Sequence, residues 1–208
     1  MAKSRVVDGF IEDTSRPNWR KPTTINLDQD GYADTTTRNV GTAGTSCTAT
    51  EYGNGIVHTT VLAVSALSVT MTDAGAAGCH GTSVLYTFPA GGVTILGATA
   101  DLTLTAGAGG IGDTAAAVAS VGTAAVGTDN ATLTTTEADI ISSTAYTLVG
   151  GTKNADATGP ATVAFFNGTA SAKTANLNIA VPDADSSASD TMTVAGTVNI
   201  SWLFSPDV

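Results

Sequence analysis

The chain has 208 residues, of which 42% are hydrophobic and 12% charged, and a formal net charge of −10. That length suits one domain, or one domain with an extension, and a chain of this size folds without needing disulfides or metals. Residues 1–38 hold six basic residues (Lys3, Arg5, Arg16, Arg20, Lys21 and Arg38) balanced by six acidic ones, so residues 39–208, with two basic and twelve acidic, carry the whole −10. An acidic body excludes nucleic acid as an expected partner, because phosphate binding needs a positive field.

Other totals narrow the class further. With 37 Thr, 34 Ala and 23 Gly, the chain favours β-structure with small side chains. Nowhere do about 18 apolar residues run together, so no membrane partner is expected. The first 25 residues hold no apolar core of signal-peptide length, so synthesis in a reducing cytosol is the expectation. The low charge suggests that part of the surface is covered by a partner.

Residues 1–50 read as an extended N-terminal arm or loop-rich lead-in. They hold Pro17, Pro22 and most of the cations, with no sustained periodicity. A disordered terminus is the competing reading, but Phe10, Ile11, Trp19 and Tyr32 are anchor-type side chains that a flexible tail seldom carries.

Residues 51–208 read as strand after strand. Residues 57–64 and 67–72 are β-branched runs. In residues 83–88 Val84, Tyr86 and Phe88 are expected on one face. Residues 93–105 switch apolar parity near Gly97, from Val93 and Ile95 to Ala100, Leu102 and Leu104, which predicts a bulge or bend. Leu177, Ile179 and Val181 share a face. So do Met192, Val194, Val198, Ile200, Trp202 and Phe204, with Thr and Asn residues on the opposite parity. Residues 112–122 fit a strand or a short helical turn, and residues 134–143 a helix start before Glu137 or a loop. Turns rich in Gly, Asp and Ser separate the runs, and residues 182–190 read as a solvated hairpin loop. The fold class expected is all-β, a jelly-roll-like β-sandwich with an extended N-terminal arm.

Chemistry is sparsely signalled. Cys79 and His80 are adjacent, and on a strand adjacent side chains point to opposite faces, so they cannot form a nucleophile–base pair directly. Cys47, His58, Cys79 and His80 lack the close pairing of a structural zinc site, and a Cys47–Cys79 disulfide is left open. Residues 182–190 have neither the sixth-position Gly nor the twelfth-position Glu of an EF-hand. Residues 107–112 are Gly-rich but precede no helix, so phosphate binding is not expected. No catalytic residue, metal or cofactor is expected.

Four blocks, "ADLTLTAGAGGIGDTAAAVASVGT", "GTDNATLTTTEADII", "VAFFNGTASAKTANLNIAVPDAD" and "MTVAGTVNISWLF", together resemble small structural proteins of tailed bacteriophages, including marine ones. The resemblance covers roughly residues 60–204 and carries no functional residues across. It implies a virion component on the capsid surface, most plausibly a capsid decoration (cement) protein. Such a protein is a β-sandwich that sits as a dimer or trimer over joints between major capsid proteins. The expected partners are therefore the major capsid protein and further copies of the chain, with a trimer preferred. Composition adds the arm as the partner-binding element, through Arg5, Phe10, Arg16, Trp19, Arg20, Lys21 and Arg38. The alternatives are a tail, fibre or baseplate component, or a carbohydrate-binding adhesive sandwich, which would need exposed aromatic rings.

Overall fold

Period-two alternation over the last strand sets the architecture. Met192, Val194, Val198, Ile200, Trp202 and Phe204 are all buried, and their intervening neighbours face outward. The computed structural model describes residues 40–53, 56–127, 133–159 and 164–205, together with the backbone of 5–7 and 10–12. Its strands are β1 (Arg5–Val7), β2 (Phe10–Glu12), β3 (Thr42–Ala43), β4 (Cys47–Gly53), β5 (Val57–Asp73), β6 (Cys79–Thr87) and β7 (Gly92–Ala106). They continue with β8 (Ala116–Gly122), β9 (Ile141–Thr147), β10 (Thr152–Thr158), β11 (Ala164–Asn167), β12 (Thr174–Val181) and β13 (Asp190–Ser205).

The body is an all-β sandwich that nearly closes into a barrel. One layer runs β4, β5, β13, β7 and then β10 and β11, both of which pair with β7. The other runs β6, β12, β8, β9, with β3 on the outer part of β6. The end of β5 crosses between them, since Thr72 and Asp73 pair with His80 and Cys79. On the far side β9 and β10 lie alongside each other without a ladder. A single core fills the space between the layers, with Leu62, Met71, Leu104, Ile179, Val198 and Trp202 wholly inside. Burying each such side chain stabilises the fold by roughly 1.5–3 kcal/mol.

Bulges adjust the pattern where strands must bend. The parity switch expected near Gly97 is a bulge: Ser201 faces Gly97 and Trp202 faces Ile95, which leaves Leu96 over. The two runs expected at 57–64 and 67–72 are one strand, β5, interrupted by a bulge at Ser65–Ala66, where Ala66 has φ 49°. Next to the bulge, Gly196, which pairs with Val64, has φ 136°, and a Cβ there would lie 2.1 Å from the Asp101 carbonyl oxygen, so only glycine fits.

A third bulge corrects the expectation for residues 83–88. Tyr86 pairs with Ala175 and Val84 with Asn176, so Leu85 is the extra residue. Tyr86 and Phe88 are buried with Leu85, whereas Val84 turns outward and is 38% exposed. The Leu85 carbonyl accepts the Gly44 N–H at 2.8 Å, which ties the start of the body to this bulge.

Among the connections, two open readings resolve and one expectation is overturned. Residues 116–122 form strand β8, not a helical turn. Residues 135–137 make one 3₁₀ turn with a capping box between Thr134 and Glu137. Residues 182–190 are not a hairpin loop; they arch from β12 in one layer to β13 in the other. Asp190 accepts from the Gly109 and Ile111 N–H groups, and the Ser187 N–H donates to the Gly110 carbonyl, so the Gly-rich stretch at 107–112 is packed under this arch.

A strap, residues 123–127 and 133–140, crosses the outside of β12 and buries that strand on both faces. Asn178, wholly buried, uses its full hydrogen-bonding capacity there. Its Oδ1 accepts from Thr82 Oγ1 and the Val126 N–H, and its Nδ2 donates to the carbonyls of Ala124 and Glu137. Asn176 Nδ2 adds a bond to the Gly122 carbonyl. Beyond the strap's last turn, Thr123 donates twice to Asp139, whose carboxyl is nevertheless pushed up by burial.

The domain boundary expected at residue 50 falls inside β4, because residues 42–53 already pair with β5 and β6. Of the arm, β1 and β2 form a separate two-stranded antiparallel sheet. The sequence holds a signal for it, Asp8-Gly9 between two apolar runs, which favours a tight hairpin.

Candidate functional site: an arm anchor and an exposed apolar row

The two cysteines lie far apart. Cys47 stands opposite Val64 and Cys79 opposite Asp73, at two places nine residues apart along β5. That is roughly 30 Å, and a disulfide needs Cα atoms within about 7 Å. Both thiols are free, and burial pushes each one up. Cys79 is wholly buried and donates to the Ala188 carbonyl at 3.3 Å, while His80 lies half-buried on the opposite side of β6. The thiol therefore pins the 182–190 arch. A Cys79→Ser, His80→Ala variant is expected to stay folded within about 1–2 kcal/mol of the parent and to assemble as the parent does, as measured by urea unfolding and sedimentation. A loss of more than about 4 kcal/mol would assign the pair a larger role.

The described surface includes grooves. One, of about 710 Å³, runs between β7, β10 and β9 and is lined by Asp101, Asp156, Asn199, Thr99, Ser142 and Thr144. Another, of about 560 Å³, is lined mainly by Ala116, Val118, Tyr146, Val149, Lys153 and Pro182. Neither lining includes a Cys, a His or a Glu.

A polar network instead lies inside the sandwich, at the end where the arm joins. The Gly41 N–H donates to Tyr86 Oη at 2.6 Å, and Tyr86 Oη donates to Glu51 Oε1. Thr60 Oγ1 donates to the same carboxylate at 2.9 Å and accepts from Trp202 Nε1 at 2.8 Å. His58 Nδ1 lies 4.0 Å from Glu51 Oε2, and its ring stacks on Trp202 with centroids 4.1 Å apart. Phe88 meets Trp202 and Tyr86 edge-on. Burial, followed by the Glu51 carboxylate, pushes the Tyr86 phenol well above its usual range. The phenol therefore stays protonated and keeps donating. The chain from Gly41 through Tyr86, Glu51 and Thr60 to Trp202 fixes the root of the arm to the core.

Beside that anchor, the outer face of the β4–β5–β13–β7 layer carries apolar side chains where polar ones are the rule. Val57 pairs with Leu203, Leu203 with Thr94, and Thr94 with Phe165, so the four form one row across β5, β13, β7 and β11. Adjacent strands are about 4.8 Å apart, which makes the row roughly 14 Å long. Val57 is 43% exposed and Phe165 53%, with Leu203 half-buried. Ile56, at 62%, and Leu96, pushed outward by its bulge and at 43%, extend the row on either side. Val40, where the arm enters, is also 43% exposed. Clustered exposed apolar groups mark interaction surfaces far better than scattered ones do.

This row is not among the sites expected from the sequence. The available signal was "VAFFNG": two consecutive Phe residues on a strand must face opposite ways. Phe166 packs against the core and Phe165 faces outward. The arm residues proposed for partner binding, Arg16, Trp19, Arg20, Lys21 and Arg38, lie outside the described residues, and Arg5 and Phe10 are described only as backbone, in β1 and β2. Among the described residues no group of three or more His, Cys, Asp or Glu side chains is placed to hold a metal ion. No family model, curated protein or solved structure matches the chain.

Proposed function

We propose that the chain is a non-enzymatic virion structural protein, a capsid decoration (cement) protein. It binds the outer shell between major capsid proteins and stabilises it, as a homo-oligomer for which a trimer is preferred. The observation that carries this reading is the exposed apolar row beside the anchored root of the arm. A cement protein needs a stiff body and a contact surface rather than a reactive cleft. The sandwich supplies stiffness through its continuous core and cross-pinned loops. The row and the arm supply contact surface at one end of it, for further copies of the chain and, through the assembled oligomer, for the shell. Ordering an arm on a partner costs entropy, which a repeating lattice offsets through high effective concentration.

The test is co-sedimentation with empty capsid shells of the virus that carries the protein. The full chain is expected to pellet with the shells, and a chain beginning at residue 40 to bind at least about tenfold more weakly while unfolding at the same urea concentration. Equal binding by the truncated chain would remove the arm from the contact. Labelling of the tail instead of the head would assign the protein to the tail, fibre or baseplate.

A further inference from the structure

We propose that the apolar row on the β5–β13–β7–β11 face is the docking site for the β1–β2 hairpin of a second copy of this chain. Four observations converge on that occupant.

The hairpin is two strands of three residues each and, among the described residues, no ladder joins it to the larger sheet. Val6 stands opposite Ile11 and Val7 opposite Phe10, so four of its six paired positions are apolar. A lone two-stranded ribbon is marginal in water at best and needs a surface to pack on. The row offers one of matching size. It is roughly 14 Å across the strands, against about 10 Å for a three-residue strand laid over it.

Charge fits as well. The hairpin ends in an Arg5–Glu12 pair and is part of a segment with no net charge, whereas the body carries −10. Two bodies repel each other, so a neutral apolar hairpin is the better bridge between them. The row itself, from Ile56 and Val57 through Leu203 and Thr94 to Phe165 and Leu96, has no ionisable side chain.

The length of the connecting segment lets the hairpin reach a second copy. The arm enters the body at Val40 and Gly41, and Gly41 is tied to Tyr86 at the end of the sandwich that carries the row. Docking on its own body therefore needs only a short connection. Residues 13–39 separate the hairpin from that root, and they reach up to about 90 Å when extended. That is enough to cross to a neighbouring body. Exchange of the same element around a closed ring makes each copy both donor and acceptor.

This inference shares the body-plus-arm description with the proposed function, but its test uses no capsid, so the two fail separately. The measurement is sedimentation equilibrium of three proteins: the full chain, a chain lacking residues 1–12, and a Phe165→Ser, Leu203→Ser variant. The full chain is expected to be an oligomer, and both altered proteins to dissociate at least tenfold more readily. The deletion touches no residue of the body, so it remains informative if the double variant folds poorly. A photoreactive phenylalanine analogue at position 165, with heavy-isotope chains mixed with light ones, is expected to cross-link to residues 5–12 of the other chain. A monomeric full chain, an oligomer indifferent to both changes, or a cross-link within one chain would each overturn the proposal.

Discussion

Replacing Trp202 by alanine is expected to lower the unfolding free energy by about 4 kcal/mol. Trp202 is wholly buried at the centre of the aromatic cluster, against His58, Phe88 and Phe204. Removing it leaves a cavity beside the rings of His58 on β5, Phe88 just past the end of β6 and Phe204 on β13 itself. It also removes the indole N–H from Thr60, the step that links Glu51 and Tyr86 to β13. Most domains are stable by only about 5–15 kcal/mol, so the loss is a large share. Urea unfolding checks it, with Trp202→Phe as the partner variant that keeps a ring but not the N–H. A loss below about 2 kcal/mol for the alanine variant would mean that the aromatic cluster is not the keystone of this end of the sandwich. Because the same chain of hydrogen bonds ends at the Gly41 N–H, faster hydrogen exchange at Gly41 is expected to accompany the loss.

Asn178→Leu is expected to cost about 3 kcal/mol and to do so locally. The leucine fills the volume but strands the Val126 N–H and the Ala124 carbonyl, and leaves the Glu137 carbonyl with only the Ser120 hydroxyl as donor. The strap then gains by lifting off β12 into water. Hydrogen exchange and protease cleavage should rise in residues 123–140, while β13 and β5, at the centre of their layer, keep their protection. Uniform loss of protection across the body would contradict this, since it would make the strap part of one cooperative unit with the core.

Much of the fold was legible from side-chain alternation. The strand of Met192 to Phe204, the Leu177–Ile179–Val181 face and the bulge at Gly97 all follow from period two and its interruption. The separation of Cys79 from His80 follows from the same geometry. The hairpin at residues 5–12 was also readable in principle, from Asp8-Gly9 between apolar runs, yet it was hidden in a segment whose composition otherwise reads as irregular.

Other features depend on what stands opposite. Val84 alternates correctly with Tyr86 and Phe88 in sequence, but the Leu85 bulge, set by the pairing with β12, turns it outward. Asn176 and Asn178 occupy the polar parity of their strand, and nothing local shows that a strap from fifty residues away covers that face. The candidate site is of the same kind. Val57, Leu96, Phe165 and Leu203 come from four strands, Ile56 from the residue before β5, and all are scattered along the chain. Only the register of β5, β13, β7 and β11 makes them neighbours.

The sequence by itself therefore determined which residues alternate, where turns interrupt them, and that the body is an acidic, Thr-rich β-structure. Those properties are local, because the backbone sends successive side chains to opposite faces whatever lies beyond. The tertiary structure decided which of the two faces is covered, which bulges shift a register, and which distant apolar residues are left side by side at the surface. Those outcomes depend on long-range pairing and burial, which no short window of the chain contains.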